Sequence, residues 1–133
     1  MRRVFAETAT LVTPVTGPLD LPAMHEAARA LEGRHDFTSF VPAGCTIEDR
    51  VRTVTESRLR EDGDELIYAV RGEGFLRHMV RTMAGTLLEV GRGRIRPSDL
   101  TAILAARDRR RAGPCAPARG LSLVRVFYGE EDR

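Results

Sequence analysis

Three stretches of the chain carry apolar residues at the three- and four-residue spacing of an amphipathic helix. The apolar positions of the first stretch are Met24, Ala27, Ala28 and Leu31. Asp20 precedes this stretch as a candidate N-cap, and Pro22 lies in the first turn, where proline is tolerated. Gly33 is expected to end the helix at its C′ position, because glycine readily adopts the left-handed conformation found there.

The longest stretch covers residues 74–97 and predicts one helix that ends near Gly91 or Gly93. Its apolar face contains Leu76, Met79, Val80, Met83, Leu87 and Val90. A second face is polar and contains His78, Arg81, Thr82, Gly85, Thr86 and Glu89. Arg77 and Arg81 would then be like charges one turn apart, an unfavourable pair unless an anion lies near them.

The glycine on this polar face is informative, because glycine costs a helix about 1 kcal/mol relative to alanine. Gly85 lies one turn after Arg81 and removes side-chain bulk beside the guanidinium. One interpretation is the close approach of another backbone, a carboxylate or a base. The other is an ordinary solvated face with a tolerated glycine, and the residue pattern leaves both open.

The third helix is predicted over residues 96–108, and its apolar face contains Leu100, Ile103 and Leu104. Residues 51–59 and 65–73 are β-branched or alternating and predict a hairpin, with the turn signal Asp62-Gly63 between them. Residues 121–128 predict a closing strand, and the N-terminal stretch is a possible strand.

Two segments, 34–49 and 108–120, are rich in polar residues, proline or glycine and are predicted to be loops. The order of the elements predicts an α+β fold, a mainly antiparallel sheet with helices packed on one face. At 133 residues, the chain is expected to form a single domain over residues 1–133.

Charge is distributed unevenly along the chain. Residues 1–70 hold 8 arginines against 12 acidic residues, whereas residues 71–125 hold 12 arginines against 4 acidic residues. A strongly basic second half suits a polyanion such as nucleic acid, and a soluble basic surface is the alternative.

Several classes of protein are not indicated. Cys45 and Cys115 match no metal-ligand spacing and are expected to be free thiols, so no metal site is predicted. No apolar run is long enough to cross a bilayer, and the N-terminus lacks the apolar region of a signal peptide. We therefore expect a cytoplasmic protein without membrane association.

Sequence motifs in the chain resemble, in order and spacing, those of TruA-type tRNA pseudouridine synthases. The motifs are HDFTSF at 35–40, VRTV at 51–54, GFLRHMVRTMAGTLLEVGRGR at 74–94 and ILAARDRRRAGPCAPARGLSLVRVFY at 103–128. The resemblance runs from about Pro18 to Tyr128 and covers only the C-terminal half of such an enzyme. It implies conversion of uridine to pseudouridine in the tRNA anticodon stem-loop, by a homodimer that uses no metal and no organic cofactor.

The resemblance also implies roles for individual residues. Arg81 matches the family arginine that pairs with the catalytic aspartate, which belongs to an R-T-D-x-G-V-H-A-like motif of the N-terminal half. This sequence contains no such motif and no counterpart of the family's substrate-stacking tyrosine. His78, Thr82 and Gly85 are expected to form the active-site wall, with His78 packing or hydrogen bonding rather than transferring protons. With its partner missing, Arg81 is expected to occupy an open polar cleft.

Basic residues near the resembling motifs are candidate RNA contacts, because phosphate contacts position a nucleic acid without reading its sequence. They are Arg77, Arg107, Arg109, Arg110, Arg111 and Arg119. The alternative is a solvated charge run. Asp36, in the HDFTSF motif, is not assigned as a replacement nucleophile, because its family equivalent is not catalytic and such aspartates more often cap turns.

Two classes of function follow. In the first, the chain is the C-terminal lobe of a tRNA pseudouridine synthase and works with a separately encoded N-terminal catalytic half. In the second, it is a non-catalytic RNA-binding or dimerisation module descended from that family. A neighbouring reading frame for the aspartate-bearing half would favour the first, and an intact full-length paralogue the second.

Overall fold

A computed structural model describes residues 2–15 and 17–131 of the chain, with side chains described for 7–15 and 17–124. Its strands are β1 (Arg2–Pro14), β2 (Gly33–Asp36), β3 (Val51–Asp62), β4 (Glu65–Gly72) and β5 (Leu121–Glu131). Its α-helices are α1 (Leu21–Ala30), α2 (Met79–Gly91) and α3 (Leu100–Ala106). Short 3-10 helices cover Thr38–Phe40, Pro97–Asp99 and Arg109–Arg111.

The strands form one five-stranded sheet in the order β2-β3-β4-β1-β5, and each neighbouring pair is antiparallel. The predicted α+β fold is therefore confirmed, as is the hairpin between β3 and β4. Asp62 pairs with Glu65, and Gly63 between them has a φ of 61°, which glycine adopts without steric cost. The possible N-terminal strand is β1, which lies between β4 and β5.

One face of the sheet is buried, and the helices pack on it. Its side chains alternate with exposed ones, as a half-buried antiparallel sheet requires. The buried set includes Ala9, Leu11, Leu59, Leu66, Tyr68 and Val70. The Tyr68 hydroxyl lies 2.6 Å from the Ser57 hydroxyl, so this buried polar pair is mutually satisfied. The opposite face exposes Thr8, Arg58, Arg60 and Arg71.

Helix α1 begins as predicted, because the Asp20 side chain accepts a hydrogen bond from the Ala23 backbone nitrogen at 3.1 Å. The Asp20 backbone nitrogen also donates to the Gly91 carbonyl oxygen at 2.9 Å. This second bond joins the start of α1 to the last residue of α2. The two helices also pack side by side, with Met24 buried against Gly91.

The predicted end of α1 and the following loop are partly wrong. The helix ends at Ala30, and Gly33, with a φ of 106°, begins β2 instead of closing the helix. Residues 33–36 pair with the first four residues of β3, from Val51 to Val54. The polar residues of this segment do not have the pattern of a strand. The segment is a strand because its backbone pairs with β3.

The predicted start of α2 is also wrong, because the helix begins at Met79 rather than near Gly74. The preceding backbone is committed to the sheet: the Phe75 nitrogen donates to the Glu7 carboxylate at 3.2 Å. His78 then adopts a left-handed conformation with a φ of 61°, which turns the chain into the helix. Arg77 therefore lies outside the helix, and it and Arg81 are not a pair on one helical face.

Within the described residues, no helix is long and apolar enough to span a membrane. The same residues contain no cluster of three or more histidine, cysteine, aspartate or glutamate side chains able to hold a metal ion. Cys45 and Cys115 form no disulfide.

Replacing Asp20 by alanine tests the contact that starts α1. Loss of the side-chain cap leaves a helix N–H without its acceptor, so the free energy of unfolding should fall by about 1 kcal/mol. Asp20→Asn, which retains a capping oxygen, is the matched control and should remain close to the parent. Urea denaturation of the three proteins provides the comparison, and equal losses in both variants would contradict a capping role.

Candidate active site

The polar face of α2 is buried beneath a segment of the same chain, residues 113–116. A Cβ atom built on Gly85 would overlap the carbonyl oxygen of Pro114. A Cβ atom built on Gly113 would lie 2.9 Å from the Thr86 Cα. Two glycines thus permit this close contact between helix and segment. Of the two interpretations left open for Gly85, the close approach of another backbone is the observed one.

Thr86 connects the helix to this segment. The Thr86 hydroxyl accepts a hydrogen bond from the Gly113 backbone nitrogen at 2.9 Å and donates to the Thr82 carbonyl at 2.8 Å. Thr82 and Thr86 are 1% and 0% exposed, so water does not compete for these bonds. Gly85 and Thr86 therefore contact the 113–116 segment, and the buried Thr82 fixes the Thr86 hydroxyl through its carbonyl oxygen.

Arg81 and Ala116 exchange hydrogen bonds at the other end of the segment. The Arg81 Nε donates to the Ala116 carbonyl oxygen at 2.8 Å, and the Ala116 nitrogen donates to the Arg81 carbonyl oxygen at 2.9 Å. The side chain is partly buried and already bonded within the chain, whereas we expected an open polar cleft around an unpartnered arginine. One guanidinium nitrogen is satisfied by a backbone carbonyl within the chain.

The rest of the Arg81 guanidinium is available for a further partner. Among the side chains that the structure describes, no carboxylate lies within ion-pairing distance of Arg81. Its two terminal nitrogens also bond to none of these residues. A guanidinium fixed through Nε and open at both terminal nitrogens can bind a carboxylate or phosphate through two parallel hydrogen bonds.

His78 lies immediately before α2, next to this guanidinium, and is partly exposed. Desolvation lowers the pKa of His78 below its usual value of 6.5, and the charges of Arg81 and Arg77 lower it further. The imidazole is therefore neutral at pH 7, and the positive charge at this site belongs to the two arginines. Arg77 is exposed.

Asp36 is a turn residue, as its sequence context indicates. Its carboxylate accepts hydrogen bonds from the Thr38 nitrogen at 2.9 Å and the Thr38 hydroxyl at 2.6 Å. The Arg107 Nε lies 3.5 Å from the Asp36 Oδ2. Burial would raise the pKa of Asp36, but the Thr38 hydrogen bonds and the charges of Arg107 and Arg50 outweigh it and lower the pKa. The carboxylate is thus ionised and occupied by local partners.

The predicted RNA-contacting arginines of the 107–111 turn differ in their surroundings. Arg107 contacts Asp36, and Arg110 holds Asp108 with two hydrogen bonds, Nε to Oδ1 at 3.1 Å and Nη2 to Oδ2 at 3.0 Å. Arg109 is half-buried, whereas Arg111 is exposed. This turn directly precedes the 113–116 segment in the sequence, so its arginines are near neighbours of the segment along the chain. Arg119, beyond the segment, is exposed.

Sequence reasoning missed a second group of arginines on the open face of the sheet. Arg58 and Arg60 are exposed at alternate positions of β3, and Arg71 is exposed on β4. The alternation of arginine with buried Ser57 and Leu59 carried the signal, since alternate residues of a strand share a face. Strand propensity by itself does not reveal which side chains a strand presents on its outer face.

A sequence model described as tRNA pseudouridine synthase matches residues 27–129. The α+β fold and this match define the class of protein: the chain belongs to the tRNA pseudouridine synthase family. It is 52% identical over 113 residues to tRNA pseudouridine synthase A of Geobacillus kaustophilus, an overlap of 85% of this chain and 44% of that protein.

Two further relatives carry the same description. The tRNA pseudouridine synthase A of Exiguobacterium sp. is 48% identical over 131 residues, covering 98% of this chain and 51% of the relative. The tRNA pseudouridine synthase A of Acidiphilium cryptum is 50% identical over 114 residues, covering 86% of this chain and 45% of the relative. The chain therefore spans about half the length of the curated relatives it matches.

Gly85→Ala tests the contact between α2 and the 113–116 segment. Although alanine is the better helix former, its methyl group would displace the Pro114 carbonyl, so unfolding should become easier by about 1–3 kcal/mol. Gly44→Ala is the matched control: nothing lies within 4 Å of its added Cβ, and it should change stability by no more than about 0.5 kcal/mol. Thermal melts that place Gly85→Ala level with Gly44→Ala would disprove the contact.

Proposed function

We propose that this chain is the C-terminal lobe of a tRNA pseudouridine synthase that isomerises uridine in the tRNA anticodon stem-loop. An N-terminal half supplies the catalytic aspartate, and this lobe supplies Arg81. The observation that carries the proposal is the state of Arg81, which is held through Nε by Ala116 and bonds to none of the described residues through its terminal nitrogens. Membership of the tRNA pseudouridine synthase family supports the assignment of the reaction.

The chemistry of this lobe is electrostatic and positional. A base inside a helical stack must leave it before an enzyme can act on it, and the acting carboxylate must be ionised and correctly oriented. Two parallel hydrogen bonds from Arg81 would meet both requirements for the carboxylate. His78 borders the same surface, while Gly85 contacts the segment that bonds Arg81 and Thr82 accepts the hydrogen bond of the Thr86 hydroxyl. The proposal assigns no metal and no organic cofactor to the reaction.

The partner is tRNA, bound by arginines whose charge neutralises phosphates. Arg77, Arg111 and Arg119 are exposed and available for such contacts, whereas Arg107 and Arg110 would have to share their charge with an aspartate. The open sheet face adds Arg58, Arg60 and Arg71 to the basic surface. We further propose that the complete enzyme is a cytoplasmic homodimer, as implied by the resemblance to TruA-type enzymes.

A chimaera tests the catalytic role of Arg81. This chain would replace the matching segment of the Geobacillus kaustophilus relative, and pseudouridine formation would be measured on unmodified tRNA. We expect the chimaera to be active and this chain alone to be inactive. Arg81→Leu in the chimaera should lower kcat by at least about 100-fold, the scale set by loss of one positioned electrostatic partner. tRNA affinity should change little.

Other results would contradict the proposal. Pseudouridine made by this chain alone would place the catalytic carboxylate within it. An inactive chimaera that still binds tRNA would favour a non-catalytic RNA-binding module. Full activity of the Arg81→Leu chimaera would remove Arg81 from the active site.

A second prediction concerns the 107–111 turn. Replacing Arg109, Arg110 and Arg111 together by glutamine should weaken tRNA binding for all sequences and reduce the salt dependence, because fewer counterions are released. A second variant removes the same number of charges from the other proposed tRNA-binding surface, the sheet face, with Arg58, Arg60 and Arg71 changed to glutamine. Filter binding at several salt concentrations separates the surfaces. Unchanged affinity in the first variant would identify the turn as a solvated charge run.

A further inference from the structure

The 113–116 segment is attached to α2 at two separate places. At one end, the Gly113 nitrogen donates to the Thr86 hydroxyl at 2.9 Å. At the other end, Ala116 exchanges two backbone-mediated hydrogen bonds with Arg81. Among the described residues, no hydrogen bond joins the Thr86 side chain to Arg81 directly, whereas the 113–116 segment is bonded to both residues.

The attachment at Thr86 is fully enclosed. Thr86 is 0% exposed, Gly113 is buried, and a Cβ on Gly113 would meet Thr86 Cα at 2.9 Å and Gly85 oxygen at 3.0 Å. The Gly113 nitrogen is therefore beyond the reach of solvent. A buried N–H that loses its acceptor becomes strongly unfavourable, so removal of this hydroxyl drives the segment away from the helix.

The segment transmits such a shift, because it is short and contains a proline. Only two residues separate Gly113 from Ala116, and Pro114 has a restricted φ. Movement at Gly113 therefore displaces the Ala116 carbonyl, which fixes the Arg81 Nε. The guanidinium would then keep its charge but lose its fixed direction.

We propose that Thr86 is a positioning residue, whose hydroxyl orients the Arg81 guanidinium through the 113–116 segment. The catalytic consequence rests on the proposed function of Arg81, whereas the positioning itself is a property of this chain. A carboxylate bound by a freely rotating guanidinium is less well oriented, and small misplacements at a reacting centre are costly in rate. Loss of the Thr86 hydroxyl should thus lower kcat while leaving the KM for tRNA close to its parent value.

The direct test measures the Arg81 Nε–H proton in the ¹⁵N-labelled chain by nuclear magnetic resonance. Its signal is identified as the one missing from Arg81→Lys. Thr86→Val preserves the shape of threonine without the hydroxyl, and Thr86→Ser preserves the hydroxyl. We expect solvent exchange of this proton to accelerate about tenfold in Thr86→Val, the factor that corresponds to loss of one ordinary hydrogen bond. Thr86→Ser should match the parent.

Arg50 provides an internal control, because its Nε donates to the Ile47 carbonyl at 2.9 Å in a different loop. Its exchange rate should stay constant in all variants, which separates a local effect from general destabilisation. If Thr86→Val does not fold, Thr86→Ala takes its place, since the smaller side chain removes the hydroxyl without adding bulk. Unchanged Arg81 exchange in a folded variant without the hydroxyl, or equal acceleration at Arg81 and Arg50, would overturn the proposal.

The same substitutions in the chimaera separate the two proposals. Reduced kcat with unchanged KM in Thr86→Val, restored by Thr86→Ser, would support both. A different result is faster exchange of the Arg81 Nε–H proton in Thr86→Val together with a chimaera that is inactive with either threonine or valine at position 86. That result would support positioning by Thr86 and reject the proposed catalytic function.

Discussion

The contact between α2 and the 113–116 segment is the constraint on which the candidate site depends. Gly85 and Gly113 let two backbones approach more closely than any side chain would permit. That approach brings the Gly113 nitrogen to Thr86 and the Ala116 carbonyl to Arg81. Among the described residues, no fully buried side-chain nitrogen or oxygen lacks a hydrogen-bond partner, and this is consistent with a stable polar helix face inside the fold.

The sheet and the other helices hold this contact in place. Strand β1 pairs with β4 and β5, and Asp20 joins the start of α1 to the end of α2 through the Gly91 carbonyl. The apolar side of α2 faces the same core as the buried face of the sheet. Arg81 is therefore presented from a rigid element, as orientation of a partner carboxylate demands. The positive charge around the site comes from Arg77 and Arg81, because desolvation and these two arginines lower the pKa of His78.

Local signals in the sequence were enough for much of the fold. The Asp20 cap predicted the start of α1, and Asp62-Gly63 predicted the hairpin of β3 and β4. Leu100, Ile103 and Leu104 predicted the buried face of α3. Each of these features depends on a few residues that are neighbours in the sequence, so the sequence alone is sufficient to predict them. The motifs also identified the family, and with it Arg81 as the residue of interest.

Tertiary structure decided the features that depend on distant neighbours. Residues 33–36 became a strand because β3 offered them backbone partners, and α2 started late because Glu7 and the sheet hold the residues before it. The polar face of α2 looked solvated or ready for a ligand, yet residues 113–116 cover it. Helical spacing states which side chains share a face, but only the packed chain determines what that face contacts. For this reason the sequence identified Arg81, whereas its bond to Ala116 and the role of Thr86 emerged from the fold.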